Sequence, residues 1–233
     1  MTFRDTDYSP ARGVSMWESC PQLAAMDPAT AFVQFDDFFH YKAQSSDDNG
    51  WTATLTGGAS AATIADAVGG VLAMTCDAAD NDSVELQWNA ECFKLATSKP
   101  LWFETRLKIS DATESDIMVG LFITDSTVID GGTDGVYFRK ADGDANILFV
   151  TEKNSSETST DTTIDIVAAT YVKLGFFWDG SASVFAYVDG TLRATHTANI
   201  CDDEELAVTL TVQNGEAVAK VLSVDYVKCV QVR

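Results

Sequence analysis

The sequence has few residues that could bind a metal, cross-link the fold or carry out catalysis. Only two histidines occur among its 233 residues, and the five cysteines are far apart, with no Cys-X-X-Cys pair. Because zinc sites use paired ligand spacing, we expect no metal and no cofactor. An odd number of scattered cysteines is typical of buried free thiols in a chain that folds in a reducing cytoplasm.

Basic residues and long hydrophobic runs are also scarce. The chain has 35 acidic against 15 basic residues, a formal net charge of −20. Nucleic acids and anionic lipids attract basic surfaces, so we expect neither nucleic acid nor membrane as a partner. The sequence contains no run of eighteen apolar residues, the length that a helix needs to cross a bilayer. The first twenty residues carry charges and no apolar stretch, so we expect no secretory signal there.

Recognised catalytic patterns are missing as well. The sequence contains no Gly-X-Ser-X-Gly, and neither His40 nor His196 lies beside an obvious nucleophile. Glycoside hydrolysis needs two carboxylates that flank a cleft, whereas Glu85 is flanked on its strand face by Ser83 and Gln87. We therefore predict no catalytic residues and no enzymatic activity, and rank a glycosidase last.

Four acidic turns offer oxygen ligands of the kind that Ca²⁺ prefers, at 47–50, 77–82, 130–135 and 142–146. None completes an EF-hand loop, because 142–146 lacks the glutamate that such a loop needs at its twelfth position. Asp, Asn and Gly also favour turns for backbone reasons alone. We interpret all four segments as turns and predict no metal ligands.

What the sequence does contain is alternation. Val172, Leu174, Phe176 and Trp178 fall on one face at period two, and Asp-Gly turns at 179–180 and 189–190 separate this strand from the next two. The same pattern predicts strands at 51–56, 71–75, 84–88, 101–109, 117–123, 135–139, 147–152, 206–212 and 218–232, with a weak one at 63–65. We predict a hairpin turn at Asn214-Gly215 and a polar tip or hairpin end at 154–163. Short strands without helical crossovers predict an all-β, antiparallel two-sheet sandwich.

The first thirty residues differ from the rest. They hold three of the four prolines and no alternation, which predicts an extended arm over 1–30 ahead of a single β domain over 31–233. Such an arm cannot bury its own aromatic side chains, so it packs either on its own sheet or on a partner. For the second case we predict these contact residues: Arg4, Tyr8, Arg12, Met16 and Trp17.

One aromatic residue is a candidate for contact with sugar. Trp102 falls on the polar face of its strand, together with Glu104 and Arg106, which predicts an exposed ring. An exposed tryptophan can act as a sugar platform or as an interface anchor. Trp88 and Trp178 fall on apolar faces and are predicted to lie in the core.

The segment from 176 to 195 resembles the late hairpins of concanavalin A-like, laminin-G-type jelly rolls. In that fold a strand ending Trp-Asp-Gly precedes one reading Tyr-Val-Asp-Gly, matched here by Trp178–Gly180 and Tyr187–Gly190. The resemblance implies a jelly-roll sandwich. The glucanase pattern of that fold, Glu-X-Asp-X-X-Glu, is missing here, and so is a legume-lectin type of metal set.

The layout of the whole chain is similar to a class of tailed-phage virion proteins. The matching segments are Trp17–Pro21, Asp36–Phe39 and Asp225–Val227, with Gln231 and Arg233. The resemblance implies a capsid decoration or cement protein, or a head fibre, on the exterior of the virion, with the major capsid protein as partner and no catalytic residue. Capsid ornaments of this kind often follow three-fold axes, and exposed sheet edges favour pairing, so a homotrimer is the implied oligomer. The alternative is a lectin-like module that recognises a host-surface glycan through Trp102.

Overall fold

The computed structural model describes residues 28–41, 50–58 and 60–233. Their strands are β1 (Ala31–Asp36), β2 (Trp51–Leu55), β3 (Ala61–Ala65), β4 (Val71–Thr75), β5 (Ser83–Trp88), β6 (Leu101–Ile109), β7 (Ser115–Phe122), β8 (Gly135–Lys140), β9 (Asn146–Lys153), β10 (Ser156–Asp165), β11 (Val172–Trp178), β12 (Val184–Val188), β13 (Thr191–His196), β14 (Ala207–Asn214) and β15 (Val221–Val232). A single helical turn, α1 (Val128–Gly131), interrupts the strands of this part of the chain. None of its helices is long and apolar enough to span a membrane.

The strands form two antiparallel sheets. The eight-stranded sheet has the order β13-β12-β11-β6-β15-β4-β3, with β1 added to β15, and the seven-stranded sheet has the order β10-β9-β8-β7-β14-β5-β2. Their apolar faces pack on each other and form one core. The predicted all-β two-sheet sandwich is confirmed.

Aromatic rings join the two sheets across this core. Phe103 of β6 stacks on Phe176 of β11, with ring centroids 4.9 Å apart. Phe149 of β9, in the other sheet, lies 6.1 Å from Phe176. Alternation therefore turns these rings inward and leaves the polar residues of the same strands on the outer faces.

β15 is the organising strand of the eight-stranded sheet. One edge pairs with β6 from Leu222 to Gln231. The other edge pairs first with β4 and then with β1, which matches Ala31 with Val232. The last strand of the sequence is thus ordered by pairing with strands from its beginning.

Three local predictions were wrong. Asn214-Gly215 does not turn a hairpin, because β14 and β15 belong to different sheets and the segment between them crosses from one to the other. The polar stretch from 154 to 163 does begin as a hairpin end, between β9 and β10, but most of it is strand β10, paired with β9. The run that follows Thr30 is strand β1, for which no strand was predicted.

Four of the five cysteines lie in the part of the chain that the structure describes. Cys76, Cys201 and Cys229 are buried, whereas Cys92 is exposed. Burial raises the pKa of Cys76 to about 12 and that of Cys201 to the same range. The arm and the boundary at 30 stay predictions, because residues 1–27 lie outside the described ranges.

Candidate functional site

The outer face of the seven-stranded sheet, which points away from the core, carries carboxylate, guanidinium, amide and hydroxyl side chains on adjacent strands. Residues at Cα-paired positions form two rows across it. One row runs from Thr54 through Glu85, Thr211, Met118 and Arg139 to Leu148 and Asp161, and the other from Thr52 through Gln87, Thr209, Gly120 and Tyr137 to Val150 and Ser159.

The connection between β7 and β8 covers part of this outer face. Gln87 Nε2 donates to the carbonyl of Ile123 at 3.0 Å, and its Oε1 accepts from the backbone N–H of Asp125 at 2.9 Å. Glu85 Oε2 accepts from the N–H of Val128 at 3.3 Å. The alternation of Val84, Leu86 and Trp88 with polar residues predicts a half-exposed strand. That prediction was wrong, because Glu85 and Gln87 are buried beneath this connection.

An apolar cluster anchors the connection. Val128 packs with Met118, Phe122, Tyr137 and Val150. The rings of Phe122 and Tyr137 meet edge to face at 4.9 Å. This patch closes the middle of the outer face, whereas its end over β8, β9 and β10 is open to solvent.

The open end carries a hydrogen-bonded group of four side chains, which we call the acidic cluster: Tyr137, Arg139, Glu152 and Glu157. The guanidinium of Arg139 donates to both oxygens of Glu157, each at 2.8 Å. The hydroxyl of Tyr137 donates to Glu152 Oε2 at 2.8 Å. Glu152 and Glu157 lie directly opposite each other on β9 and β10.

The two carboxyl groups of the acidic cluster have different surroundings. Burial raises the pKa of Glu152, and the nearby charge of Glu157 acts in the same direction. The pKa of Tyr137 is also raised, mainly by burial and then by its bond to Glu152. Glu157 instead accepts both arms of a guanidinium. The pKa of Glu152 is thus raised by its surroundings, while Glu157 is bound to a cation.

The five residues predicted to contact a partner, Arg4, Tyr8, Arg12, Met16 and Trp17, lie outside the described residues. Their contact with a capsid protein stays a prediction. Tyr137 was one of the aromatic residues considered for contact with sugar, but no sequence pattern pointed to Arg139, Glu152 or Glu157. Glu157 lies in a stretch that was interpreted as a polar tip or hairpin end.

The exposure predicted for Trp102 was wrong. Its side chain does point to the outer face of the eight-stranded sheet, but it is only 2% exposed. Phe177 stacks on it with centroids 5.2 Å apart. The ring is therefore not the exposed platform that was predicted. Glycan binding through Trp102 itself stays a prediction.

One group among the described residues has the composition of a metal site. Ligand atoms of Asp134, Cys201 and Asp203 lie within 4.8 Å of one another. Protein groups already occupy the carboxylates: Asp134 accepts from the N–H of Asn154 at 2.8 Å, and Asp203 pairs with Lys153 at 3.2 Å. The group is therefore satisfied by hydrogen bonds and ion pairs.

Comparison with known proteins places the chain in a family. The model of the family described as SO2946-like, C-terminal domain matches residues 66–225, more than half of the sequence. The chain belongs to the SO2946-like C-terminal domain family. No curated relative matches the sequence.

Solved structures share the fold of this SO2946-like domain at low identity. SO2946 of Shewanella oneidensis MR-1, a protein of unknown function, superposes with a TM-score of 0.61 and 15% identity over 88% of this chain and 87% of its own. A β-glucanase of Bacillus licheniformis has a TM-score of 0.58 and 15% identity over 84% and 96%. The carbohydrate recognition domain of Emp46p has a TM-score of 0.55 and 10% identity over 83% and 94%.

These likenesses confirm the concanavalin A-like jelly roll and correct one prediction. The SO2946-like domain was predicted to have no enzymatic activity, but a β-glucanase is among its structural neighbours. The same fold also occurs in a carbohydrate recognition domain. At these identities the likeness shows the fold alone, so activity has to be argued from the side chains of the outer face.

Proposed function

We propose that this protein binds carbohydrate at the acidic cluster on the outer face of the seven-stranded sheet. The observation that carries the proposal is the array formed by the Arg139 guanidinium and the carboxylates of Glu152 and Glu157 on neighbouring strands. The buried hydroxyl of Tyr137 holds Glu152 in place from below. Neighbouring hydroxyls of a sugar each donate and accept hydrogen bonds, and carboxylate and guanidinium groups can engage two of them at once.

The charge around the acidic cluster indicates which sugars fit. Glu152, Glu157 and Asp161 supply three carboxylates on this end of the outer face, against the one guanidinium of Arg139. Like charges repel at short range, so sulfated or carboxylated glycans are disfavoured. We therefore expect a neutral oligosaccharide rich in hydroxyl groups.

The test is a glycan array that contains neutral and anionic oligosaccharides, probed with the full chain and with Glu157→Gln. Hydrogen bonds to charged groups contribute about 1.5–3 kcal/mol, so the substitution should weaken binding of a neutral glycan by about tenfold or more. Glu205→Gln is the matched control, because Glu205 is also a surface glutamate paired with a cation, Lys94, but lies between strands β13 and β14.

Two results would contradict the proposal. The first is the absence of binding to any neutral glycan, and the second is equal binding by the wild type and Glu157→Gln. Retained folding of each variant is checked by circular dichroism, since a surface ion pair contributes little to stability.

A second candidate function, glycoside hydrolysis, is favoured by one observation. Glu152 and Glu157 are directly opposed on β9 and β10, and glycoside hydrolysis uses a pair of carboxyl groups that flank the scissile bond. Burial raises the pKa of Glu152, as a general acid requires. Release of reducing sugar from a neutral β-glucan by the wild type, lost in Glu152→Gln, would support hydrolysis, and binding without release would leave a lectin-like role.

A further inference from the structure

The outer face of the eight-stranded sheet carries three positively charged side chains on β6 and β11, which we call the cationic group: Arg106, Lys108 and Lys173. Alternation places all three on this face, because their neighbours Leu107 and Leu174 are buried in the core. Arg106 lies directly opposite Lys173 across the two strands. Like charges at directly opposed positions destabilise a sheet, so an anion that binds between them would relieve their repulsion.

One aromatic ring holds two members of the cationic group close together. Tyr171 directly precedes β11, and its ring centroid lies 3.9 Å from Cζ of Arg106 and 4.8 Å from Nζ of Lys108. A cation is attracted to the face of an aromatic ring at such distances. The ring therefore fixes both positive charges side by side before a ligand arrives, which reduces the entropy that binding would cost.

A β-bulge in β15 brings a carboxylate to this group. The register of β15 against β6 shifts between Val224 and Tyr226, so Asp225 is an extra residue on its strand. Its carboxylate accepts a hydrogen bond from the guanidinium of Arg106 at 2.5 Å. Bulges re-aim side chains and are frequent beside functional sites. A central strand of the sheet is thus distorted at the point where it meets the cationic group.

The positive charge of this group is only partly neutralised. Lys94, Lys153 and Lys220 all form ion pairs with carboxylates. Within the described part of the chain, neither Lys108 nor Lys173 has such a partner, although the sequence has 35 acidic against 15 basic residues. Three cations against the one carboxylate at the bulge leave a local excess of positive charge on a strongly acidic protein.

The surroundings of the cationic group limit the size of the anion that fits. The next opposed pair on this face, Glu104 and Lys228, carries one charge of each sign and adds no net charge. The chain as a whole has a net charge of −20. Because salt screens charges beyond about 8 Å at physiological ionic strength, a small anion at this site interacts mainly with its three cations. A long polyanion would also extend over the acidic remainder of the surface, which repels it.

We propose that the cationic group binds a small organic anion through sulfate or carboxylate groups. Lys173 is exposed and the side chain of Arg106 is 39% exposed, so the group is accessible to solvent. Lys108 and Lys173 donate from their ammonium groups, and Arg106 adds guanidinium N–H groups. The site lies on the other sheet from the acidic cluster and is independent of the carbohydrate binding proposed there. The two outer faces then select ligands of different charge.

Isothermal titration calorimetry of the full chain at low salt tests this proposal with three disaccharides: a sulfated one without carboxylates, digalacturonate, which has carboxylates only, and neutral cellobiose. We expect at least one charged probe to bind about tenfold or more tightly than cellobiose, because hydrogen bonds between charged groups are the stronger ones. The charged probe that binds identifies the anionic group that the site takes. Its affinity should fall as salt is added.

Lys108→Gln and Lys173→Gln should each weaken binding of the charged probe by about tenfold or more. The matched control is Lys99→Gln, which removes one positive charge from the connection that precedes β6, at the far end of that strand. Thermal unfolding checks that each variant is folded. Binding of neither charged probe would overturn the proposal, as would equal binding of cellobiose. Equal weakening by Lys99→Gln, unchanged binding in both site variants, or loss of binding in Glu157→Gln would also overturn it, because the anion would then bind elsewhere.

Discussion

Gln34 and Gln231 are both buried, on the paired strands β1 and β15, but only Gln231 has hydrogen-bond partners for its side-chain amide. The same substitution should therefore have opposite effects at the two positions. Gln34 of β1 is 7% exposed, and neither oxygen nor nitrogen of its amide has a hydrogen-bond partner. Gln231 of β15 is 4% exposed, but its amide donates to the carbonyl of Lys94 and accepts from the N–H of the same residue at 3.2 Å. We predict that Gln34→Leu stabilises the protein and that Gln231→Leu destabilises it.

The magnitude follows from the unpaired amide. A buried polar group without a partner costs about 1–3 kcal/mol, and replacing it with an apolar group of similar size removes that cost. Gln34 points toward the core beside Cys229, its paired residue on β15, so a leucine there would contact apolar neighbours. We expect a gain of about 1–3 kcal/mol, and a loss of about the same size for Gln231→Leu, which leaves both backbone groups of Lys94 unpaired.

Urea denaturation, followed by circular dichroism, measures both changes. For a chain of this length each kcal/mol shifts the melting temperature by about 2–4 °C, so calorimetry gives an independent check. A lower unfolding midpoint for Gln34→Leu would refute the reasoning, because it would mean that the amide of Gln34 makes hydrogen bonds in the folded protein, for example to a buried water.

Three further predictions follow. Burial lowers the pKa of His196, so between about pH 6.5 and the pKa of the folded state the unfolded chain binds a proton that the folded chain does not. The free energy of unfolding should therefore fall as the pH drops below about 6.5. His196→Gln should flatten this dependence in urea titrations at several pH values. Gly120→Ala should unfold at a lower temperature than the wild type, by several degrees, because a Cβ there would lie 2.6 Å from the Cα of Tyr137. Thr211→Val should raise the free energy of unfolding by about 1 kcal/mol in urea, because the buried Oγ1 of Thr211 is unpaired.

Each of these three has an outcome that would contradict it. An unchanged pH slope in His196→Gln would show that other groups dominate the acid sensitivity. A wild-type melting temperature for Gly120→Ala would mean that β7 and β8 can separate without loss of packing. A destabilised Thr211→Val would show that the hydroxyl has a partner in solution.

The tautomer of His196 explains why its neutral form is favoured. Thr151 Oγ1 donates its proton to the carbonyl of Ala198 at 2.9 Å, so it accepts from Nδ1–H of His196 at 3.0 Å. Nε2 is then the acceptor for Thr160 Oγ1 at 2.9 Å. A second ring proton would meet the hydroxyl proton of Thr160, which would have to rotate away. The contact joins β13 to β9 and β10 and links the two sheets at one end of the sandwich.

The fold was largely predictable because alternation records which face of a strand is buried. Leu101 to Ile109 was predicted as a strand and is β6, and the alternation of Val172 to Trp178 gave β11. Pairing across the sequence was not predictable in the same way. Asn214-Gly215 has the composition of a hairpin turn, yet the chain there passes from one sheet to the other, since β15 pairs with β6, β4 and β1.

The candidate site could not be found from the sequence for a related reason. Tyr137 and Arg139 alternate on a predicted strand, but their partners lie on other strands, and Glu157 was placed in a polar tip. The polar side chains of β10 hid its pairing, because it is an edge strand with one solvated face. Glu85 and Trp102 show the converse error, because polar neighbours in the sequence suggested that both are exposed. The connection after β7 covers Glu85, and Phe177 stacks on Trp102.

The position of β15 has a consequence for synthesis of the chain on the ribosome. β4, β6 and β1 each need this last strand as a neighbour, so the eight-stranded sheet has no centre until residues 221–232 have emerged. Until then, the nascent polypeptide presents unpaired apolar edges, which are the surfaces that chaperones shield and that aggregate when unshielded. Stalling or truncation shortly before Val221 should therefore lower the soluble yield far more than the loss of so short a segment as β15 would otherwise suggest.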